Sequence, residues 1–196
     1  PMYPPLAVRE LLANALIHQD FSIGGTGPTI EIFKNRMEIT NPGAPLIDIE
    51  RLLDNPPRSR NETLASLMRR MGICEERGSG IDKVVAQTEF YQLPAPMFEL
   101  AGDTMRAVLF AHRPYSAMDK DDRVRACYLH ASLKYVNRDF LTNASIRERF
   151  GIEPKNSASA SRLIKEAIAA GAIAPADEHA AKKLMKYVPC WAEGAE

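Results

Sequence analysis

Two stretches, Thr29–Lys34 (TIEIFK) and Met37–Thr40 (MEIT), alternate apolar and polar residues and are separated only by Asn35-Arg36. Alternation with period two marks a strand with one buried face, and so short a connection joins only antiparallel neighbours. This hairpin fixes the sheet type, and the surrounding patterns must fit it. A helix is predicted from Leu6 to Gln19, after Pro4-Pro5, with Leu12, Ala15, Leu16 and Gln19 on its packed face and Ala13 and Ile17 at the flanks. Asn41-Pro42-Gly43 is predicted to end the second strand. A short helix over Ile49–Leu53 stops at Asn55-Pro56-Pro57, and Glu62–Met71 forms a helix closed by Gly72. Another helix, Ile81–Tyr91, opens after Gly78-Ser79-Gly80. Strands Met97–Leu100 and Met105–Phe110 meet at Gly102-Asp103. The order α-β-β-α-α-β-β predicts an α+β fold with helices on one face of a mostly antiparallel sheet.

The rhythm changes at Ala111-His112-Arg113-Pro114-Tyr115-Ser116-Ala117, where Pro114 interrupts the apolar pattern. The expected division is a domain over 1–112, a linker over 113–118, a second domain over 119–191 and a tail over 192–196. The second domain reads as a long helix, Asp121–Val136, and a short one, Asn143–Phe150, capped by Thr142 and closed by Gly151. A third helix, Ala158–Ala170, is followed by a hairpin of Ala172-Ile173-Ala174 with Lys182–Val188 around 175–179. Three helices and a hairpin are the plan of a winged helix-turn-helix.

Net charge excludes some functions. The chain has 25 Lys+Arg and 25 Asp+Glu, so it is not a polybasic binder throughout. By segment, residues 1–114 hold 12 basic and 14 acidic side chains, whereas 115–190 hold 13 and 9, a net +4. A nucleic-acid surface therefore belongs to the C-terminal domain. No apolar run approaches the roughly 20 residues of a membrane span. Cys74, Cys127 and Cys190 lie far apart with neither disulfide nor zinc spacing, and no signal peptide is present, so a cytoplasmic protein with reduced thiols is expected. The chain opens at Pro1 directly before a helical pattern and is expected to be the C-terminal part of a longer protein. No G-x-x-x-x-G-K-[ST] phosphate loop occurs, which excludes a motor helicase.

Glu10, Asn14 and His18 follow one another at i, i+4 and i+8, opposite Leu12 and Leu16. The stripe is either a solvated face or the wall of a cavity. In a cavity, the amide offers a neutral oxygen to a hard cation and the carboxylate can orient a water. Gly78-Ser79-Gly80 reads either as a helix-start turn or as a phosphate approach. Asn41-Pro42-Gly43 taken alone reads as a turn. In the second domain, Lys155, Ser157, Ser159, Arg162 and Lys165 crowd the start of the third helix, and Lys182 and Lys183 lie on the wing. They suit contacts to double-stranded DNA, with Arg147 and Arg149 reaching phosphates; the alternative is a protein-contact module with a solvated charged face. A homodimer reading two half-sites would supply useful affinity.

Taken in order, Arg9-Glu10-x-x-x-Asn14, the hairpin ending in Asn41-Pro42-Gly43, Arg60-Asn61 and Glu75-Glu76-Arg77-Gly78-Ser79-Gly80 resemble a known family. Over about residues 4–110 the chain is similar to the ATP-binding region of the histidine-kinase/gyrase/Hsp90 class. The form is the divergent one found near the C-terminus of RecG-like helicases and Schlafen-like transcriptional regulators. A winged helix often follows in such proteins, and an AlbA-type domain commonly precedes. The resemblance implies ATP and Mg²⁺ as cofactors. Glu10 would orient the attacking water, Asn14 would hold the Mg²⁺, and Gly78, Ser79 and Gly80 would meet the phosphates. The segment from Pro45 to Arg77 would be a lid from which Arg58 or Arg60 reaches them. Asn41 and Gly43 stand where the class has an Asp-x-Gly that reads adenine, so Asn41 brings an uncharged amide to that place.

The expected protein is a transcription regulator that binds DNA and a nucleotide, with lid closure altering a dimer or interdomain surface. A slow Mg²⁺-dependent ATPase and a nucleotide-blind dimerisation module are the alternatives.

Overall fold

The computed structural model describes residues 2–56, 58–74, 80–177, 179–181 and 184–192. The chain forms two compact units: residues up to Tyr91 with Pro96–His112, and Gln92–Ala95 with the residues from Arg113 onward.

The first unit is α+β. Its elements are α1 (Pro5–His18), β1 (Thr29–Ile32), β2 (Arg36–Pro42), α2 (Glu62–Arg70), α3 (Gly80–Phe90), β3 (Met97–Ala101) and β4 (Thr104–Phe110). The four strands form an antiparallel sheet in the order β1-β2-β4-β3. Pairing of Ile39 with Ala107 and of Met37 with Leu109 puts four apolar side chains on one face. α1 and α3 cover that face through Ala7, Leu11, Ala15 and Val84. A second apolar cluster, Ala13, Ile17, Ala65 and Met68, joins α1 to α2.

Two expectations for this unit are corrected. Leu16 does not pack; it is 42% exposed, and Leu12 is only partly buried. The packed arc of α1 runs from Ala7, Leu11 and Ala15 to Ala13 and Ile17, because α1 is sandwiched between the sheet and α2. Small alanines let both neighbours approach, and Glu10, Asn14 and His18 fall between the two packed edges. β2 also runs on through Asn41 and Pro42, which pair with Met105 and Thr104, so the strand ends later than expected.

The second unit holds α4 (Lys120–Val136), α5 (Asn143–Phe150), α6 (Ser157–Ala169) and a small antiparallel pair, β5 (Ile173–Pro175) with β6 (Tyr187–Pro189). Its helix ends follow local chemistry. Asp119 accepts from the Asp122 amide at 2.8 Å, Thr142 and Ser145 form a reciprocal capping box, and Gly151 closes α5 at φ +62°. Leu141, Ile146, Leu163 and Ala167 fill the core.

Candidate functional site

α1, α2, α3, the loop after β2 and the sheet enclose a cavity of about 580 Å³ in the first unit, within the ordinary range for small-molecule sites. The sheet supplies an apolar floor of Ile39, Phe98, Met105 and Ala107, with Asn41 beside them. α1 supplies Glu10, Asn14 and His18. Glu10 is buried, only 2% exposed, and accepts from Arg9 Nη2 at 2.9 Å.

Gly80, the first residue of α3, faces these groups directly. A Cβ built there would lie 3.3 Å from Glu10 Oε2 and 3.4 Å from Asn14 Nδ2. The carboxylate, the amide and a bare helix start therefore meet at one point of the cavity wall. Gly78 and Ser79, singled out in the sequence, lie outside the described residues, as do Lys182 and Lys183.

Asn41 is buried; its Nδ2 donates to the Pro42 carbonyl at 3.4 Å, a long bond that leaves it weakly held. Gly43 lines the cavity with a structural constraint of its own. At φ +104°, a Cβ would come within 2.9 Å of Asp20 Cβ. The close approach is sealed by Asp20 N donating to Pro42 O at 2.8 Å and by Gly43 N donating to Asp103 O at 2.7 Å.

Arg60 does not line the cavity. Its guanidinium donates to His18 O at 3.2 Å, Ala44 O at 2.6 Å and Asp20 Oδ2 at 3.1 Å. Asn61 donates to Ile17 O at 2.9 Å and Gln19 O at 2.8 Å. Together they satisfy the carbonyls that the end of α1 leaves open. Arg58, Glu62, Arg69 and Cys74 do line the cavity; of these only Arg58 is suggested by the sequence. Burial, with the Arg60 charge adding to it, pushes the His18 imidazole below its ordinary pKa. Burial pushes the Cys74 thiol up, so it is held as a thiol.

In the second unit, Lys155, Ser157, Ser161, Arg162 and Lys165 are exposed at the start and along the outer face of α6, while Ser159 is half-buried. Arg162 donates to Ser159 Oγ at 3.2 Å, and Lys155 pairs with Glu153 at 2.6 Å. Asn143 locks α5 to α6 through Ser157 O at 3.1 Å and Ser161 Oγ at 2.9 Å. That bridge has no signal in the sequence. Arg149 corrects an expectation: it is 4% exposed and donates to Leu93 O at 2.7 Å within the unit, so it cannot reach a phosphate.

Residues 25–109 match the family model described as "Putative ATP-dependent DNA helicase recG C-terminal". Over that segment the chain is similar to an ATPase-like domain. The match takes in the four strands, α2 and α3 and begins after α1, so Glu10 and Asn14 stand on geometry alone. Across 96% of its length the chain aligns with the crystal structure of the DIP2311 protein from Corynebacterium diphtheriae, at a TM-score of 0.56 and 23% identity. It spans 40% of that chain, and the likeness is one of fold. No curated protein matches the chain. Among the described residues, no helix is long and apolar enough to cross a membrane, and no group of three or more His, Cys, Asp or Glu is placed to hold a metal.

Proposed function

We propose that the first unit binds ATP or a related nucleotide with Mg²⁺ and that the second binds double-stranded DNA as part of a transcription regulator. The observation that carries the nucleotide reading is the meeting of Glu10, Asn14 and Gly80 at the wall of a cavity whose floor is apolar. A helix start without a side chain admits an anion to backbone N–H groups. Asn14 offers a neutral oxygen, and phosphate and water would complete a hard cation's shell, as Mg²⁺ normally requires. Bound there, Mg²⁺ would neutralise phosphate charge next to the Glu10 carboxylate. The apolar floor and the Asn41 amide suit a flat heteroaromatic ring with a polar edge.

A nucleotide at about 100 times its Kd stabilises by about 2.7 kcal/mol. ATP with Mg²⁺ is expected to raise the melting temperature, and Asn14→Ala is expected to abolish the magnesium-dependent part of the rise. No rise at millimolar nucleotide sinks this reading. The burial of Glu10 inside the cavity favours one second reading, slow hydrolysis with Glu10 orienting the water. In that case Glu10→Gln stops phosphate release and retains binding.

DNA binding is supported by the exposed serines, Arg162 and Lys165 on α6, whose small N-terminal side chains permit close approach to a groove. Arg162→Ala is expected to weaken retention on duplex and to lower the salt slope of log K by about one. Unchanged retention across a salt series would count against α6 as the reading helix.

A further inference from the structure

The cavity face of α2 carries Glu62, Ala65 and Arg69, spaced so that all three share one side of the helix. The two charged ends are joined in an ion pair, Arg69 Nη2 to Glu62 Oε1, that straddles Ala65. α2 starts against the end of α1, where Asn61 holds Ile17 O and Gln19 O, and its Ala65 and Met68 pack on Ala13 and Ile17. From that anchored start α2 carries Arg69 to the wall of the cavity that Glu10 and Asn14 also line. Cys74 donates to Ala65 O at 3.9 Å, and its thiol lies within electrostatic reach of both Arg69 and Glu10.

The geometry points to Arg69 as the cation that receives the ligand's terminal phosphate, with Glu62 occupying that guanidinium until the phosphate displaces it. This rests on the nucleotide reading above. The exchange is electrostatically easy. The Glu62 side chain is 67% exposed and that of Arg69 27%, so water screens the existing pair. A phosphate offers the same guanidinium more acceptor oxygens and more charge than a carboxylate. Glu10 brings a carboxylate to the cavity wall, and Arg69, with Arg58 also in the lining, supplies charge of opposite sign.

The test is calorimetric titration of the whole chain, at one ionic strength with Mg²⁺, using ATP, adenosine and inorganic tripolyphosphate. Arg69→Ala is expected to weaken ATP and tripolyphosphate by about tenfold or more, as loss of a charged hydrogen-bonded contact does, and to leave adenosine unchanged. Glu62→Gln removes the competing charge, leaving only a neutral acceptor, and is expected to tighten both phosphate ligands several-fold. Arg69→Lys keeps the charge, loses the paired donors and is expected to fall between; it serves where Arg69→Ala does not fold. ATP binding that stays within twofold in all three variants overturns the assignment and leaves the nucleotide reading intact. Arg69-dependent binding of tripolyphosphate without ATP binding upholds Arg69 and overturns the nucleotide. Binding of neither ligand by the unmutated chain overturns both.

Discussion

Two cavity-lining glycines show how the same atom can be missing for different reasons. At Gly43 the backbone sits at φ +104° and a Cβ would lie 2.9 Å from Asp20 Cβ, so both conformation and contact demand glycine. Gly43→Ala is expected to destabilise the fold by about 1–3 kcal/mol, read as a lower denaturation midpoint at an unchanged slope. At Gly80 the backbone is helical and only polar side-chain atoms stand in the way, at 3.3 and 3.4 Å. Alanine can adopt that backbone, so Gly80→Ala is expected to cost less stability than Gly43→Ala. It should also weaken nucleotide binding, because the methyl group fills the space between Glu10 and Asn14. Equal loss of stability in the two variants would show that Gly80 is a packing glycine. His18 offers a third residue-scale readout. Its folded pKa lies below the ordinary value of 6.5, so the unfolded chain takes up the proton first. The His18 contribution is complete above about pH 6.5 and is lost as pH falls from there through the depressed folded value. His18→Gln should flatten the fall in melting temperature between about pH 7 and 5, and an unchanged profile would remove His18 as the cause.

At the scale of elements, α1 is held at its end by groups from the next helix. Arg60 and Asn61 reach back over some 40 residues to the carbonyls of Ile17, His18 and Gln19, and Asn61 consequently makes no side-chain cap to α2. Asn61→Ala is expected to cost about 1–2 kcal/mol, the worth of two such bonds. Asn61→Asp should cost more, since a carboxylate cannot donate and would face the negative end of α1. A neutral Asn61→Ala would mean that water replaces the amide without loss. Such pairings also mark what the sequence could reveal. Period-two alternation placed β1 and β2, although β1 buries neither face, and cap chemistry placed α5 because Thr142 and Gly151 act on their immediate neighbours. The orientation of α1 was not legible. Leucines outrank alanines in hydropathy, yet Ala7, Ala13 and Ala15 are buried with Leu11 and Ile17 while Leu16 is exposed, because the sheet, α3 and α2 cover the faces that carry those residues. Arg69 and Glu62 gave no signal for a related reason: a salt bridge at helical spacing looks the same on a solvated face as beside a cavity.

At the scale of the whole molecule, the chain does not finish one unit before starting the other. Gln92–Ala95, the connection from α3 to β3, belongs to the second unit, where Arg149 donates to Leu93 O and Arg125 donates to Ala95 O at 3.4 Å. Leu93 and Ala95 are 4% and 2% exposed, so removing this segment would uncover apolar surface and leave a buried guanidinium without that acceptor. Both ends of the segment continue into secondary structure of the first unit. Unfolding of α3 and β3 therefore withdraws the anchors that hold 92–95 in place, and the two units are expected to melt as one transition. The single tryptophan makes this measurable. Trp191 lies in the second unit, donates to Tyr128 Oη at 3.1 Å and packs edge-on against Tyr135, so its fluorescence reports that unit alone. Gly43→Ala acts only in the first unit. With a cost of about 1–3 kcal/mol and a shift of about 2–4 °C per kcal/mol for a chain of this size, the Trp191 transition is expected to drop by several degrees. It should coincide with the far-ultraviolet circular dichroism transition. A Trp191 midpoint that stays fixed while the circular dichroism midpoint falls would mean that 92–95 keeps its place with α3 and β3 unfolded, and that the interleaving of the chain carries no stability from one unit to the other.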